Sequence, residues 1–430
     1  MATELLKLRA ETLTAEGFCT AQETRHGIYG ALPAEEVNCS PIRKKARRLF
    51  CRTESVITAH PDRVEPRCSA AAFCGGCSLQ HVDHDAQVAF KQERLAGLFA
   101  DKPPAVWLPP MVADAYGYRS KARLGVKRVD KKNRVLVGFR ETLKPYIAET
   151  DSCPVLRAPV DQLIDPLAEL IESLDASRTI PQVEVAVGDD RTALVFRHLE
   201  PLSPADAEAL LGFGVALDVD IYLQPGAPET TTKIYPYGTS DRLGYHVAGI
   251  NMQFHPQDFT QVNAAINRQM VDTALGLLDL ERTDRVLDTF CGIGNFSLPI
   301  ALLTGAVHGV ELSATSVDRA RENARANGIT NATFDACDLF RDEGLGTLVA
   351  GYNKVMIDPP RTGAEALCQV LASSDVERVV YVSCKPETLS RDVDLLVSSG
   401  FHLEKLGLID MFPHTMHMES LALLTRDGNG

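Results

Sequence analysis

Val286-Leu287-Asp288-Thr289-Phe290-Cys291-Gly292-Ile293-Gly294-Asn295-Phe296 reads as a short apolar strand, a glycine turn and the opening of a helix. The same rhythm continues around it. Arg285–Asp288, Ala306–Glu311, Lys354–Ile357 and Val379–Ser383 are strand-like runs with helical stretches between them. Strands alternating with helices predict an α/β fold over residues 251–430, with a right-handed, mostly parallel, doubly wound sheet. In such sheets ligands bind beyond the carboxyl ends of the strands, so the residues that close each run are the candidates for chemistry.

Upstream the texture differs. A chain of 430 residues is long for one core and points to two or three domains. Residues 1–58 are short apolar and polar pieces punctuated by Gly17, Gly27, Gly30 and Pro33, which suits a small β-barrel or sheet. Residues 59–250 hold a cysteine-rich stretch and a helix from about Asp85 to Phe99, closed by Lys102-Pro103-Pro104. Strands at Val135–Phe139 and Val183–Val187, with a helix at 159–174 between them, complete an α+β middle domain. The helical segment at 86–106 is expected to pack on the C-terminal domain.

An apolar fraction of 45% and a charged fraction of 23% fit a globular protein. The first residues, Met1 to Arg9, carry charges where a signal peptide would be apolar, and no run is long enough to span a bilayer. Eleven cysteines are an odd count, better suited to metal binding or catalysis in the cytoplasm than to a disulfide framework. A net charge of −13 argues, by itself, against a polyanionic partner. The bases are clustered, however. Arg43, Lys44, Lys45, Arg47 and Arg48 lie within six positions, and eight bases from Arg119 to Arg134 face the single acid Asp130. Such clusters in an acidic chain predict a directed basic surface, the alternative being a solvated charged face.

The glycine turn lacks the third glycine of the dinucleotide fingerprint, Ser297 standing in its place, which argues against a pyrophosphate ligand. Glu311, nineteen residues after Gly292 and at the end of the next strand, can accept hydrogen bonds from both hydroxyls of a ribose. Asp338 follows the next strand-like piece, where adenine would lie. A ribose and an adenine without phosphates point to S-adenosylmethionine. Asp358-Pro359-Pro360-Arg361 then forms a rigid loop after the fourth strand, since the prolines can neither extend a strand nor enter a helix beyond its first turn. The fifth strand delivers Cys384 in Val382-Ser383-Cys384-Lys385-Pro386 to the same edge. Glu419 opens a final apolar run, Ser420–Leu424.

Cys68, Cys74 and Cys77 have Cys-x5-Cys-x2-Cys spacing, with Gly75 and Gly76 freeing the backbone to wrap a small inorganic centre. Cys153, followed by Pro154, is the best source of a fourth thiolate. Four thiolates suit an iron–sulfur cluster or a structural zinc, and the spacing leaves both open. Cys19, Cys39, Cys51, Cys291, Cys337 and Cys368 read as ordinary small core residues.

Leu287–Phe296, Ile357–Arg361, Tyr381–Pro386 and Asp410–Glu419 together resemble the (uracil-5-)-methyltransferase family of RNA-modifying enzymes. The resemblance implies a Rossmann-like class I methyltransferase domain at 251–430, with Cys384 as nucleophile and Glu419 as proton acceptor. It also assigns Gln261, Phe290, Asn295, Glu311, Asp338 and Asp358 to the cofactor pocket. Two positions depart from the usual pattern: Lys385 replaces Asn, and Asp338 occupies a position open to Asn, either of which can accept a bond from the adenine amine. The cysteine pattern resembles the iron–sulfur branch that includes the 23S ribosomal RNA enzymes, and implies a [4Fe-4S] cluster on Cys68, Cys74, Cys77 and Cys153. The transfer RNA branch lacks these cysteines. A full-length amino-terminal TRAM domain, an OB-like barrel, favours the RumA/RlmD type, which 1–58 resembles loosely through Phe18, Tyr29 and the Arg43–Arg48 cluster. The expected reaction is methylation of a uridine in 23S ribosomal RNA by a monomer. The rivals are 5-methyluridine formation in transfer RNA or at another 23S site, an RNA cytosine-5 methyltransferase, an inactive cluster-bearing RNA-binding protein, and a small-molecule methyltransferase. Cytosine enzymes usually carry a cysteine just after the Asp-Pro, where this chain has Pro360 and Arg361.

Overall fold

The computed structural model describes residues 5–341 and 344–426, so the expected outer limits at residues 1 and 430 fall outside the described residues. Five strands come first: β1 (Leu6–Arg9), β2 (Cys19–Ala21), β3 (His26–Tyr29), β4 (Glu36–Lys45) and β5 (Arg48–Thr58). They form one sheet in the order β1-β4-β5-β3-β2. The edges β1 and β2, four and three residues long, pair with β4 and β3 and form no ladder with each other among the described residues. A single Leu13–Cys19 bridge and the N–H···O=C bonds Glu11–Thr20 (2.8 Å) and Thr20–Thr12 (2.9 Å) seam the turn after β1 to β2. The expected barrel is thus a five-stranded sheet with a stitched edge and no closed barrel among the described residues.

A second sheet follows a helix, α1 (His84–Leu98), and a two-residue strand, β6 (Val106–Trp107). Its strands are β7 (Lys121–Val129), β8 (Arg134–Gly138), β9 (Gln182–Val187), β10 (Thr192–Arg197), β11 (Asp220–Gln224) and β12 (Thr232–Tyr235). Their order is β12-β11-β10-β9-β7-β8. Two helices cover it, α2 (Ile164–Ser173) and α3 (Pro204–Leu217). The α3 helix crosses between the parallel strands β10 and β11, and its start is fixed by a capping box in which Ser203 and Asp206 satisfy each other's backbone N–H. The helix expected at 159–174 is split, a short 3₁₀ turn at Val160–Gln162 preceding α2. A hairpin, β13 (Leu243–Val247) and β14 (Ile250–Phe254), leads onward.

The C-terminal part alternates as expected: α4 (Ala264–Leu278), β15 (Arg285–Thr289), α5 (Ser297–Ala301), β16 (Ala306–Glu311), α6 (Ala314–Ala326) and β17 (Ala332–Ala336). It continues with α7 (Leu345–Val349), β18 (Lys354–Ile357), α8 (Glu365–Ala372), β19 (Arg378–Ser383), α9 (Pro386–Ser398), β20 (His402–Ile409) and β21 (Glu419–Thr425). The sheet order is β17-β16-β15-β18-β19-β21-β20-β6. β15 to β19 are mutually parallel, and β21 is antiparallel to both of its neighbours. Progress along the sheet reverses between β15 and β18, and that switch opens a crevice at the carboxyl edge.

Two features join the parts. β6 adds a parallel edge strand to β20, while Val88, Leu95 and Phe99 of the α1 segment enter the same core as Tyr381, Leu406 and Leu408. Met416, near the carboxyl end, enters the core of the amino-terminal sheet with Ile28, Val37 and Cys51. Among the described residues no helix is long and apolar enough to cross a membrane.

Candidate active site

Cys384 follows Ser383, the last residue of β19, and Glu419 is the first residue of β21. The antiparallel register pairs Ser383 with Ser420, which brings Cys384 opposite Glu419. Asp358 follows β18 on the same edge. The three groups feel one another. Burial first, then the Glu419 and Asp358 carboxylates, push the half-buried Cys384 thiol up to about 11, and Arg361 pulls it down. Burial pushes Glu419 up to about 7, and its Oε2 is buried without a hydrogen-bond partner. Burial, then the Glu419 charge, holds Asp358 well above the usual carboxylate range. A thiol and a carboxyl that burial pushes toward neutrality therefore stand together at one desolvated edge, a pairing with the chemistry for addition and proton removal.

The neighbouring strands supply a second set. Phe290, Gly292 and Gly294 make the turn after β15 with φ of 60°, 55° and 94°, the left-handed region that favours glycine. The turn N–H of Gly292 lies 3.4 Å from Glu311 Oε2, and the N–H of Ser313 donates to Oε1 at 3.0 Å, so the carboxylate ending β16 is held in place. Asp338 follows β17, accepts the Phe340 N–H at 3.1 Å and pairs with Arg341 at 2.9 Å. The Phe290 and Phe340 rings stand 5.6 Å apart beside it. Asn295 is committed internally: it accepts from Tyr245 Oη at 2.9 Å and exchanges amide bonds with Asn267 at 2.9 and 3.1 Å. Gln261 lies two residues before Asn263, the N-cap of α4.

Several partners escaped the sequence. Ser297, in the place of the third glycine, donates to Asp288, whose carboxyl burial drives up to about 7. Ser297 was visible only as a missing glycine; its bond to a residue nine positions earlier carries no periodic signal. Arg361 was visible inside the Pro-Pro-Arg loop but not its reach to Cys384 and to His417 Nδ1 at 3.4 Å.

The four cysteines singled out together lie in one another's fields. Cys77 lies in the field of Cys74, Cys153 and Cys68; burial leads in pushing it up to about 12 and Cys153 up to about 11. Backbone N–H groups reach the sulfurs: Gly76 to Cys74 at 3.4 Å, Ala70 and Ala71 to Cys68, and Val155 and Leu156 to Cys153. Gly75 is the tight position, while Gly76 has room for a side-chain carbon. A Cβ on Gly75 would stand 3.0 Å from the Arg140 carbonyl oxygen, and one on Gly76 would stand 3.5 Å from Cys74 Sγ. Among the described residues no three His, Cys, Asp or Glu side chains are gathered as a metal ion would require. A cavity of about 930 Å³ is walled by Tyr29, Arg52, Cys68, Phe139, Met416 and His417. The cysteine loop and the Thr415–His417 segment thus face one space.

A family model described as tRNA (Uracil-5-)-methyltransferase matches residues 240–427. A protein of Alcanivorax borkumensis, named 23S rRNA (uracil(1939)-C(5))-methyltransferase RlmD, is 44% identical over 97% of this chain and 95% of its own. A Nitrosococcus oceani protein of the same name is 46% identical over 98% and 96%. The chain belongs to the RNA (uracil-5-)-methyltransferase family. The Pyrococcus abyssi tRNA (uracil-54, C5)-methyltransferase, solved with S-adenosyl-L-homocysteine, superposes on this methyltransferase with a TM-score of 0.77 over 98% of this chain and 100% of that one. At 22% identity that likeness speaks for the class I methyltransferase fold.

The basic clusters of the methyltransferase fare differently. Lys45 pairs with Arg48 across the turn Ala46-Arg47, so Arg43 to Arg48 form the tip of the β4–β5 hairpin. The stretch Arg119–Arg134, by contrast, is largely neutralised. Arg123 meets Glu184 at 3.0 Å, Arg128 meets Glu172 at 3.3 Å, and Lys132 and Arg134 share Glu149. Lys121 is inside, bonded to the Asp258 carbonyl, and burial pulls its ammonium down to about 8. The solvated-face reading holds there. Tyr118 is core, its hydroxyl donating to Pro413 O at 3.1 Å, and Phe139 packs half-buried under Arg119.

Proposed function

We propose that this chain methylates C5 of a uridine in 23S ribosomal RNA, the position corresponding to the uracil 1939 named for its relatives, using S-adenosylmethionine. The observation that carries the mechanism is the β19–β21 register, which sets the Cys384 thiol opposite the Glu419 carboxyl on the crevice edge. The substrate rests on the relatives above 40% identity named for 23S RNA.

In this reading the target base is unstacked and carried into the crevice. Arg361 favours the ionised form of Cys384. Cys384 Sγ bonds to C6, and the C5=C6 pair shifts to leave an enolate whose charge is shared by C5. S-adenosylmethionine, when bound, would supply an electrophilic methyl group: the C5 pair would form C5–CH3 as the S–CH3 bond breaks, leaving S-adenosylhomocysteine. Glu419, as carboxylate, takes the C5 proton; the C5–H pair restores C5=C6, and Sγ departs as thiolate. Glu311 would hold the ribose, Asp338 the adenine amine and Phe290 its face, with Gln261, Asn295 and Asp358 completing the wall. Asp288, which lies in the fields of Asp358 and Glu311, gives the crevice an acidic lining that suits a cationic cofactor.

The cysteine quartet is read as the seat of a [4Fe-4S] cluster, which takes one thiolate on each of four irons rather than gathering three on a single ion. Four desolvated thiols with backbone N–H groups aimed at the sulfurs favour thiolates only when metal is bound. Methyl transfer needs no electrons, so the cluster's part is to hold the loop. The amino-terminal sheet would serve as the TRAM-like RNA contact, with 1–58, 59–250 and 251–430 as three working units. Such an enzyme works in the cytoplasm, where ribosomal RNA is made and thiols stay reduced.

The test incubates anaerobically purified protein with S-adenosylmethionine and unmodified 23S, 16S or transfer RNA, and reads nucleosides by mass spectrometry. 5-Methyluridine confined to 23S RNA is expected. The same product in transfer RNA overturns the substrate, and 5-methylcytidine overturns the base. Iron and sulfide near four each per chain are expected, and zinc in their place overturns the cluster.

A further inference from the structure

Glu419 is buried, yet its Oε2 meets no hydrogen-bond donor. Its aim must therefore come from its backbone, which pairs with Ile409 at the first position of β21 and follows directly on the nine-residue connection Asp410–Met418 between β20 and β21. That connection is held chiefly from outside the C-terminal sheet. His84, Gln87 and Lys91 recur at spacings of three and four, one face of α1. Lys91 is 0% exposed and donates to Asp410 Oδ1 at 2.6 Å and to the Phe412 carbonyl at 3.1 Å. His84 Nε2 lies 2.8 Å from Asp410 Oδ2. Gln87, 1% exposed, accepts the His414 N–H at 2.8 Å while its amide donates to the carbonyls of Leu79 (3.1 Å) and Val82 (2.8 Å).

The grip is two-sided. The N–H groups of Ser78 and Leu79, directly after Cys77, both donate to the His414 carbonyl at 2.9 Å. His414 sits at φ 63°, a left-handed conformation uncommon for a residue with a side chain and one that surrounding bonds must impose. A buried lysine, a buried glutamine and a buried aspartate are expensive groups to fold inward, and a buried ion pair seldom stabilises more than an apolar substitute would. Geometry is what they offer instead.

We infer that the His84–Gln87–Lys91 face of α1 is a positioning element for proton removal, holding the Asp410–Met418 loop so that Glu419 meets the C5 proton of the covalent adduct. This rests on the reading of Glu419 as proton acceptor. Cys384 and the cofactor residues hang from the parallel strands, not from this loop. Loosening the loop should therefore slow the last step and spare the earlier ones.

The experiment is single-turnover reaction of the full chain with 23S RNA and methyl-labelled S-adenosylmethionine, quenched in denaturant. A gel separates methylated RNA still bonded to protein from released product. Glu419→Gln calibrates the assay: the labelled adduct should form and persist. Gln87→Met, close in volume but unable to hold His414, should form adduct within about twofold of the wild-type rate while release falls about tenfold or more, as expected for a displaced catalytic group. His84→Ala, at a half-exposed site, repeats the test if Gln87→Met does not fold, with a smaller fall in release. Equal slowing of adduct formation and release, or no slowing of release, overturns the positioning role while Glu419→Gln still traps adduct. If Glu419→Gln releases product normally, the acceptor reading itself fails, and the inference with it.

Discussion

Glu419 and Cys384, the groups proposed for proton removal and addition, are both pushed by burial toward their protonated forms. Burial raises the carboxyl to about 7 and the thiol to about 11, so near neutrality the acid is half ionised and the thiol is almost wholly protonated. Two pH profiles should follow. Adduct formation should rise about tenfold per pH unit from pH 6 to 9, because thiolate remains the scarce species throughout that range. Release from the adduct should rise only to about pH 7 and then level, as Glu419 becomes fully ionised. Rapid-quench rates for the two steps check this; a release step still climbing at pH 9 would exclude Glu419 as the acceptor. The same burial has a structural cost with a definite sign. A carboxyl raised from 4.5 to about 7 on folding binds its proton more tightly in the native state. Its contribution is full below pH 4.5 and is lost as pH climbs through 7. The shift of about 2.5 units corresponds to roughly 3 kcal/mol. Glu419→Gln should therefore melt above the wild type at pH 8, and the gap should shrink toward zero at pH 5.

At the scale of elements, the parallel strands are packed closely enough that a single methyl group matters. A Cβ on Gly309 in β16 would stand 2.5 Å from the Phe334 ring and 3.0 Å from Cys291 Sγ, between the strand that bears Glu311 and the glycine turn. Gly309→Ala should cost about 1–3 kcal/mol as an overpacking strain. It should also weaken binding of S-adenosylhomocysteine; calorimetry and thermal melts measure both, and an unchanged affinity would separate this contact from the cofactor pocket. These four strands were readable because each is an apolar run ended by a polar residue, and the same ends mark the site: Glu311, Asp358 and Cys384 were found that way. β6 was not, because two residues carry no periodicity, and β20 was not, because Glu404, Lys405 and Gly407 interrupt its apolar pattern. The amino-terminal segment was expected as a small β-barrel or sheet, and among the described residues it is an open sheet whose edges β1 and β2 form ladders only with β4 and β3. The α1 stripe escaped for another reason. His84, Gln87 and Lys91 are ordinary surface residues in any helical reading, and their partners lie more than 300 positions away.

Across the whole molecule, charge is arranged against the average. A net −13 would repel RNA, and the Arg119–Arg134 stretch, which looked like a counterweight, is occupied by Glu149, Glu172 and Glu184. What stays clear of that neutralisation is the β4–β5 hairpin tip, far along a ten- and an eleven-residue strand from the sheet's core. Arg48 is partly spoken for there, bonded to the Thr24 carbonyl at 2.9 Å and stacked 5.1 Å above Phe18. Arg43, Lys44, Lys45 and Arg47 remain to meet phosphates. An acidic body with a basic hairpin tip should bind RNA preferentially through that tip, where the potential is most favourable. Counterion release makes the claim measurable. Each phosphate neutralised on single-stranded RNA adds about 0.7 to the slope of log affinity against log salt. Replacing these four side chains by Gln should reduce that slope by about 2–3 and weaken 23S RNA binding most at low salt. The same replacement made at Arg123, Arg128, Lys132 and Arg134 should change the slope by less than about 1, because those cations already face carboxylates. Equal losses from the two sets would show that the ion pairs of the middle sheet open on binding, and that the acceptor surface is broader than the hairpin.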